Sequence, residues 1–483
     1  MMIDLFADPR ATAIDELHAA TAIYTCSDIV DDLLGRLLWP FGDRVLVDPS
    51  CGDGMFLCRA LVRLLEAEPE ICSGRILALM TGWEVHPHAS HSARVRIGEV
   101  LVDYGWNMED ARDCAGQMIR NADFLTAGPD MPIYDVIAGN PPYLIWSRVP
   151  ALLREEYSAV VPRHAQADLL HSFLDRCSCC LNVGGEIALV TSDRWLFNLN
   201  SQKLREALGQ RDFGLAHVER LDPRTAFYRP KNRKAGQPPR IHPVSVVLRK
   251  SDADLRRLSV SAIYPDAPDF DASKSGPTLE AVADVQLAPW LGGKGIFVVD
   301  KIVADALPGD RLVPAIDTSD VVDGILQSPT RYAILTYPGE EPPEAIRRHL
   351  ELTMVRMSNR GLQAPKWQPP ESFHALDLSQ PRLMVPRITR SLRPIRVPAG
   401  VLPYDHNLTI VQGKALDLDQ IEDLLLSPEA AEWFEICTPR LENGFRSLTT
   451  TLLKSLPVPE RYLSGFSFNT ELADMGVMIR THC

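Results

Sequence analysis

No stretch of apolar residues approaches the length of a bilayer span. The first ten residues carry neither a basic segment nor the long apolar core that begins a secretory signal. No membrane role is expected, and a cytoplasmic location is. Cysteine is sparse and scattered, with ten in 483 residues. Cys177 and Cys180 have the spacing of half a zinc site, but no second Cys or His pair stands at a matching distance. The surrounding run LLHSFLDRCSCCL reads as an amphipathic helix with buried thiols, so no metal is expected. There is no internal repeat and no low-complexity tract. No Gly-rich loop is followed by Lys-Ser or Lys-Thr, which excludes a P-loop phosphate site.

Positive charge is also in deficit. A formal net charge of −13 argues against a chain that coats nucleic acid indiscriminately. Two stretches depart from that background. Arg220–Lys250 holds nine Lys/Arg against one Asp, and Arg382–Arg396 holds five Arg and no acid. Arg229, Lys231, Arg233 and Lys234 in the first, and Arg387, Arg390 and Arg393 in the second, are the candidate phosphate contacts. A solvated basic loop is the plainer alternative for either stretch.

What is present is ample apolar material: 46 % hydrophobic and 23 % charged residues, enough for two or three domains with sizeable cores. Short β-rich runs alternate with helical patterns in the first half. Val45–Val47 reads as a buried strand, Met55–Glu66 as helix, Ile76–Val85 as strand and 88–104 as helix. Tyr134–Ala138 is a further strand, Ala167–Leu181 a helix stopped by Gly184-Gly185, and Glu186–Thr191 a strand. This alternation predicts an α/β fold, a doubly wound and mostly parallel sheet that binds ligands at the carboxyl ends of its strands. Beyond residue 250 prolines become frequent and the alternation fades, which predicts a second, α+β domain. The expected division is 1–255 and 256–483.

Three acids stand at successive strand ends. Asp48 opens AspProSerCysGlyAspGlyMetPheLeu, where Gly52 and Gly54 allow a close backbone approach and a carboxylate can attract an ammonium group. Glu84 could accept both hydroxyls of a ribose, and Asp123 could accept from an adenine amino group. Together they suit a nucleoside that carries an amino-acid group, although strand-end acids can simply face water.

AspValIleAlaGlyAsnProProTyr (135–143) is the most informative segment. A buried strand runs into Asn140, and Pro141-Pro142 fix the backbone while offering carbonyls and no amide donors. The Asn140 oxygen and the Pro141 carbonyl could hold the two hydrogens of one amino group, with Tyr143 offering a flat π face beside them. An adenine N6 needs such parts. Its lone pair is delocalised into the ring, and two acceptors localise it for attack without a strong general base.

These motifs resemble the gamma-order adenine-N6 DNA methyltransferases, in which the donor motif precedes NPPY, as in the TaqI modification enzyme. The resemblance implies a class I S-adenosylmethionine-dependent methyltransferase fold, Rossmann-like, with a C-terminal target-recognition domain. It implies S-adenosyl-L-methionine as cofactor, double-stranded DNA as partner, and base flipping. It places Thr25, Asp48, Ser50, Gly52, Gly54, Glu84, Asp123, Phe124, Asn140 and Phe173 on the donor, with Cys26 standing where the family has a proline after Thr25. Asn140, Pro141, Pro142 and Tyr143 become catalytic, and Tyr143 with Phe227 (or Tyr228), ahead of ValSerValValLeu (244–248), the aromatics on the flipped base. GluAsnGlyPheArgSerLeu…LeuLeuLysSerLeuProVal (442–458) resembles the close of the recognition domain.

NPPY is shared with methyltransferases of RNA and of protein glutamine, which stay open, as does a non-catalytic DNA-specificity subunit. The glutamine enzymes place their accessory domain first, whereas here 47 residues precede Asp48 and 340 follow Tyr143. A separate restriction endonuclease is a compatible partner.

Overall fold

The computed structural model describes residues 8–228, 242–270, 276–322, 324–357, 364–413 and 415–463. Arg229, Lys231, Arg233 and Lys234 lie outside the described residues. Two compact units emerge, Met1–Asp271 and Ala272–Cys483. The division falls later than 255/256 because 256–270 is tied into the first unit. Leu258 N–H donates to Phe213 O at 2.8 Å, Ile263 N–H to Leu196 O at 2.9 Å, and the buried Arg205 guanidinium to the Ser261 and Val260 carbonyls at 3.0 and 3.1 Å.

The first unit is built on one seven-stranded sheet: β1 (Leu46–Asp48), β2 (Met80–Trp83), β3 (Ile119–Arg120), β4 (Tyr134–Gly139), β5 (Leu181–Ser192), β6 (Phe213–Arg220) and β7 (Pro243–Lys250). Their order across the sheet is β3-β2-β1-β4-β5-β7-β6. The first five run parallel, and β7 is antiparallel to both β5 and β6. Alternate side chains of the central strands feed opposite cores, as a strand covered on both faces requires. Val47, Ile137, Ile187 and Leu189 enter one cluster, and Leu46, Val136, Ala138, Ala188 and Val190 the other. Each such Val, Leu or Ile side chain contributes roughly 1.5–3 kcal/mol on burial.

Two expectations need correction. The run Ile76–Val85 is not one strand: Ser73–Leu79 is a helix, and only Met80–Trp83 pairs in the sheet. Gly184-Gly185 does not stop the preceding helix, which ends at Cys180, but lies inside β5.

The second unit holds two four-stranded sheets. One orders Asp284–Leu287, Leu408–Val411, Arg382–Val385 and Ile395–Val397, all antiparallel. The other orders Val298–Asp300, Arg331–Ile334, Leu312–Ile316 and Leu402–Pro403, antiparallel except for its last pair. Helices Glu344–Thr353, Leu418–Leu426 and Pro428–Cys437 accompany them, giving the α+β character expected from the fading alternation.

Candidate donor cleft and catalytic turn

Strand order reverses in direction from β1, between β2 and β4, and it is there that the carboxyl ends open a cleft. Its volume is about 850 Å³ including the open mouth, and Asp48, Glu84, Asp123 and Asn140 all line it. Each comes from the end of a different parallel strand, so sheet geometry alone converges them.

The β1 loop is shaped by two left-handed glycines. Gly52 (φ 55°) has no room for a Cβ, which would sit 2.8 Å from the Tyr24 ring, and Gly54 (φ 88°) caps the helix Met55–Ala67. Gly52 N–H donates to Glu84 Oε2 at 2.9 Å, and His86 N–H to Glu84 Oε1 at 2.8 Å, so Glu84 is held by backbone on both oxygens. Asp48 Oδ1 accepts from Ser50 N–H at 3.0 Å. Burial pushes Asp48 up to about 8 and Glu84 up to about 7. Asp123 is raised by burial too, despite accepting from Leu125 N–H at 2.9 Å and from the Tyr157 hydroxyl at 2.7 Å. Phe124 and Phe173, which line the same cleft, stack with centroids 6.2 Å apart.

At the end of β4, Asn140 Nδ2 donates to Ile23 O at 2.9 Å, which fixes the amide with Oδ1 as its acceptor. The Tyr143 hydroxyl reaches both Val190 O, at 2.8 Å, and Asn140 Oδ1. Its single proton serves one of them at a time, and Oδ1 keeps a second lone pair. Tyr143 thus braces Asn140 through its hydroxyl, while its half-buried ring packs on the first core. Pro142 lines the cleft, and Pro141 is buried.

Other candidates are spread out. Thr25, Ser50, Gly52 and Phe173 line the cleft, whereas Phe227 packs on the second core from a short strand paired with Tyr24–Thr25. Arg387, Arg390 and Arg393 are exposed in the second unit. Sequence reasoning missed one wall entirely. The helix Pro9–Thr21 supplies Leu17, His18 and Thr21 to the cleft, and Tyr157 holds Asp123 across 34 residues of sequence. No local pattern marks either.

Residues 105–212 match the family model of the Eco57I restriction-modification methylase. The chain is 24 % identical to the type II methyltransferase M.PaeR7I of Pseudomonas aeruginosa, over 92 % of this chain and 86 % of that one. It is 22 % identical to M.XhoI of Xanthomonas vasicola, over 91 % and 90 %. Among solved structures it is similar to the type IIL restriction-modification enzyme MmeI in complex with DNA, with a TM-score of 0.59 at 13 % identity. That likeness covers 92 % of this chain, which spans 65 % of the MmeI chain. The chain thus shares the α/β fold of MmeI, carries a segment matching the Eco57I restriction-modification methylase, and is similar over most of its length to type II methyltransferases.

Proposed function

We propose that the chain is a site-specific DNA methyltransferase that transfers a methyl group from S-adenosyl-L-methionine to N6 of adenine. The observation that carries this reading is the single cleft in which Asn140 of the NPPY turn meets Asp48, Glu84 and Asp123. The similarity to type II methyltransferases supports DNA as the substrate.

The cleft fits the donor on its own chemistry. The hydroxyls of Thr25 and Ser50 are buried without a hydrogen-bond partner among the described residues, and both residues line the cleft. Orphaned buried hydroxyls of this kind are costly unless a ligand satisfies them. Asp48 would hold the ammonium, Glu84 the ribose hydroxyls, and Asp123 with Phe124 and Phe173 the adenine. When bound, the sulfonium donor supplies an electrophilic methyl group.

Asn140 Oδ1 and the Pro141 carbonyl accept the two hydrogens of the target amino group and make its nitrogen more tetrahedral. With the donor held there, its methyl group would be the electrophile for this nitrogen, and the proton the nitrogen loses on methylation would pass to solvent. Positioning and fixed dipoles do this work. The turn admits the base after it is flipped from the duplex, with the half-buried Tyr143 ring beside it. Phosphates are met by Arg387, Arg390 and Arg393 and by the basic stretch from Arg229. A separate restriction endonuclease is a compatible partner. No helix among the described residues is long and apolar enough to cross a membrane.

The test is incorporation of labelled methyl into duplex DNA, RNA and protein side by side, with modified adenines mapped by long-read sequencing. N6-methyladenine at one short motif in DNA is the expected result. Methyl groups in RNA or glutamine and none in DNA would overturn the reading.

A further inference from the structure

In the second unit a small ribbon stands apart from both four-stranded sheets. Ile388–Thr389 pairs antiparallel with Arg446–Ser447, and the same chain turns back on itself where Arg440 bridges Arg446. Leu441 N–H donates to Phe445 O at 2.7 Å, closing the hairpin. Asn443 (φ 58°) and Gly444 (φ 76°) are both left-handed, which makes the turn tight and leaves Asn443, Gly444 and Phe445 exposed.

The base of this hairpin is anchored. The buried Arg446 guanidinium donates to Thr438 O at 3.0 Å and to the Glu435 carboxylate, and lies over the Phe434 ring of the helix Pro428–Cys437. Its outer side is bare. Asn443 makes no side-chain hydrogen bond among the described residues. Ile388 is 58 % exposed, and Arg390 lies 4.7 Å over the Phe445 ring.

Charge separates the arginines here into two kinds. Arg382 is buried and donates to Asp377 O, and Arg396 is paired with Asp419 and Glu422. Arg387 and Arg393 have no acidic partner among the described residues. In a chain of net charge −13 a polyanion is repelled almost everywhere, so an unneutralised basic rim beside a projecting turn is the favoured landing place.

We infer that the hairpin Arg440–Ser447, flanked by Ile388–Thr389, enters a groove of duplex DNA and reads base edges, with Arg387 and Arg393 on the flanking phosphates. This rests on the reading of the chain as a DNA methyltransferase. A two-stranded ribbon fits a major groove about 12 Å wide. An exposed Asn amide matches the donor–acceptor edge of adenine, and an exposed isoleucine matches a thymine methyl. The Arg390 guanidinium rests on the Phe445 ring beside the turn, and its planar fork suits a bidentate contact.

Two sets of variants of the full-length chain test this. Asn443→Gly keeps the left-handed turn while removing the amide, and Ile388→Ala shortens the apolar contact. Each should relax discrimination between the preferred motif and single-base variants on the order of tenfold, with the salt dependence of DNA affinity unchanged. Arg387→Gln combined with Arg393→Gln should leave the methylated motif the same and reduce the slope of log K against log salt by about two. If all variants keep wild-type discrimination and slope while wild type methylates DNA, the inference is overturned and the methyltransferase reading stands. If wild type places no methyl in DNA at all, that reading fails first.

Discussion

The imidazole rings of His18 and His86 stack 3.8 Å apart with their planes 9° from parallel. They join the helix Pro9–Thr21 to the loop after β2, at a wall of the cleft. His86 Nδ1 accepts from Ala89 N–H at 3.3 Å, so its proton sits on Nε2, which lies 3.2 Å from Asp15 Oδ1. His88 is the other titratable neighbour, 5.7 Å from His86.

Burial first, and the charge of His86 second, hold His18 down to about 4, and burial lowers His86 as well. Both are neutral in the folded state. An unfolded chain takes up protons near the ordinary value of 6.5 and the folded chain does not. Stability is therefore whole above that value and falls as pH drops towards 4. His18→Phe keeps a stacked ring without a titrating charge and should move the acid loss of thermal midpoint to lower pH. Superimposable melting curves between about pH 7.5 and 4 would contradict the role of this pair.

Donor binding should release protons. Burial holds Asp48 at about 8 and Glu84 at about 7, so a substantial fraction of each is protonated near neutrality. Raised values mean that the folded, empty protein carries protons that an unfolded one would lose, a contribution to stability that fades as pH rises through those values. A cationic ligand favours the carboxylates and expels those protons. Affinity for the donor should therefore tighten by up to about tenfold per unit as pH rises through about 6 to 8. Calorimetry in buffers of different ionisation enthalpy reads the protons directly, and a heat independent of buffer would contradict it.

Gly139, at the end of β4, is packed against the acid of the neighbouring strand. A Cβ there would lie 2.6 Å from Asp48 Oδ1 and 3.1 Å from its Cγ. Gly139→Ala must displace Asp48 and should cost about 1–3 kcal/mol of stability. Donor affinity should fall further than in a core variant of equal stability, such as one on the far side of the sheet. Equal affinities would remove Asp48 from the donor site.

Tyr143 separates two possible roles, a π surface and a hydroxyl brace. Tyr143→Phe keeps the ring and loses the bonds to Val190 O and Asn140 Oδ1. With the brace lost, kcat should fall on the order of tenfold while KM for DNA stays within about twofold. A rise in KM with kcat unchanged would favour the ring alone.

The parts of this site legible in the sequence share one physical cause. Asp48, Glu84, Asp123 and Asn140 each follow a short β-rich run, and in a parallel sheet such positions converge without knowledge of any long-range contact. Gly52 and Gly54 were readable for a similar reason, since their left-handed backbone excludes most side chains. The misreadings arose where that logic fails. Ile76–Leu79 is apolar enough for a strand, but Leu and Ala favour helix, and the helix Ser73–Leu79 runs through it. The Arg205 bonds that hold 256–270 to the first unit, and the helix Pro9–Thr21 over the cleft, depend on partners far away in sequence. Phe227 satisfies the expected spacing before β7, yet its ring is taken up by the core.

The most direct measurement compares wild type with Asn140→Ala for two quantities on the same preparations: donor affinity by calorimetry, and N6-methyladenine formed in duplex DNA per enzyme. Loss of the Asn140 acceptor should reduce transfer by a factor on the order of a thousand while donor affinity stays within a few-fold. Equal rates of transfer by the two proteins would contradict the catalytic turn.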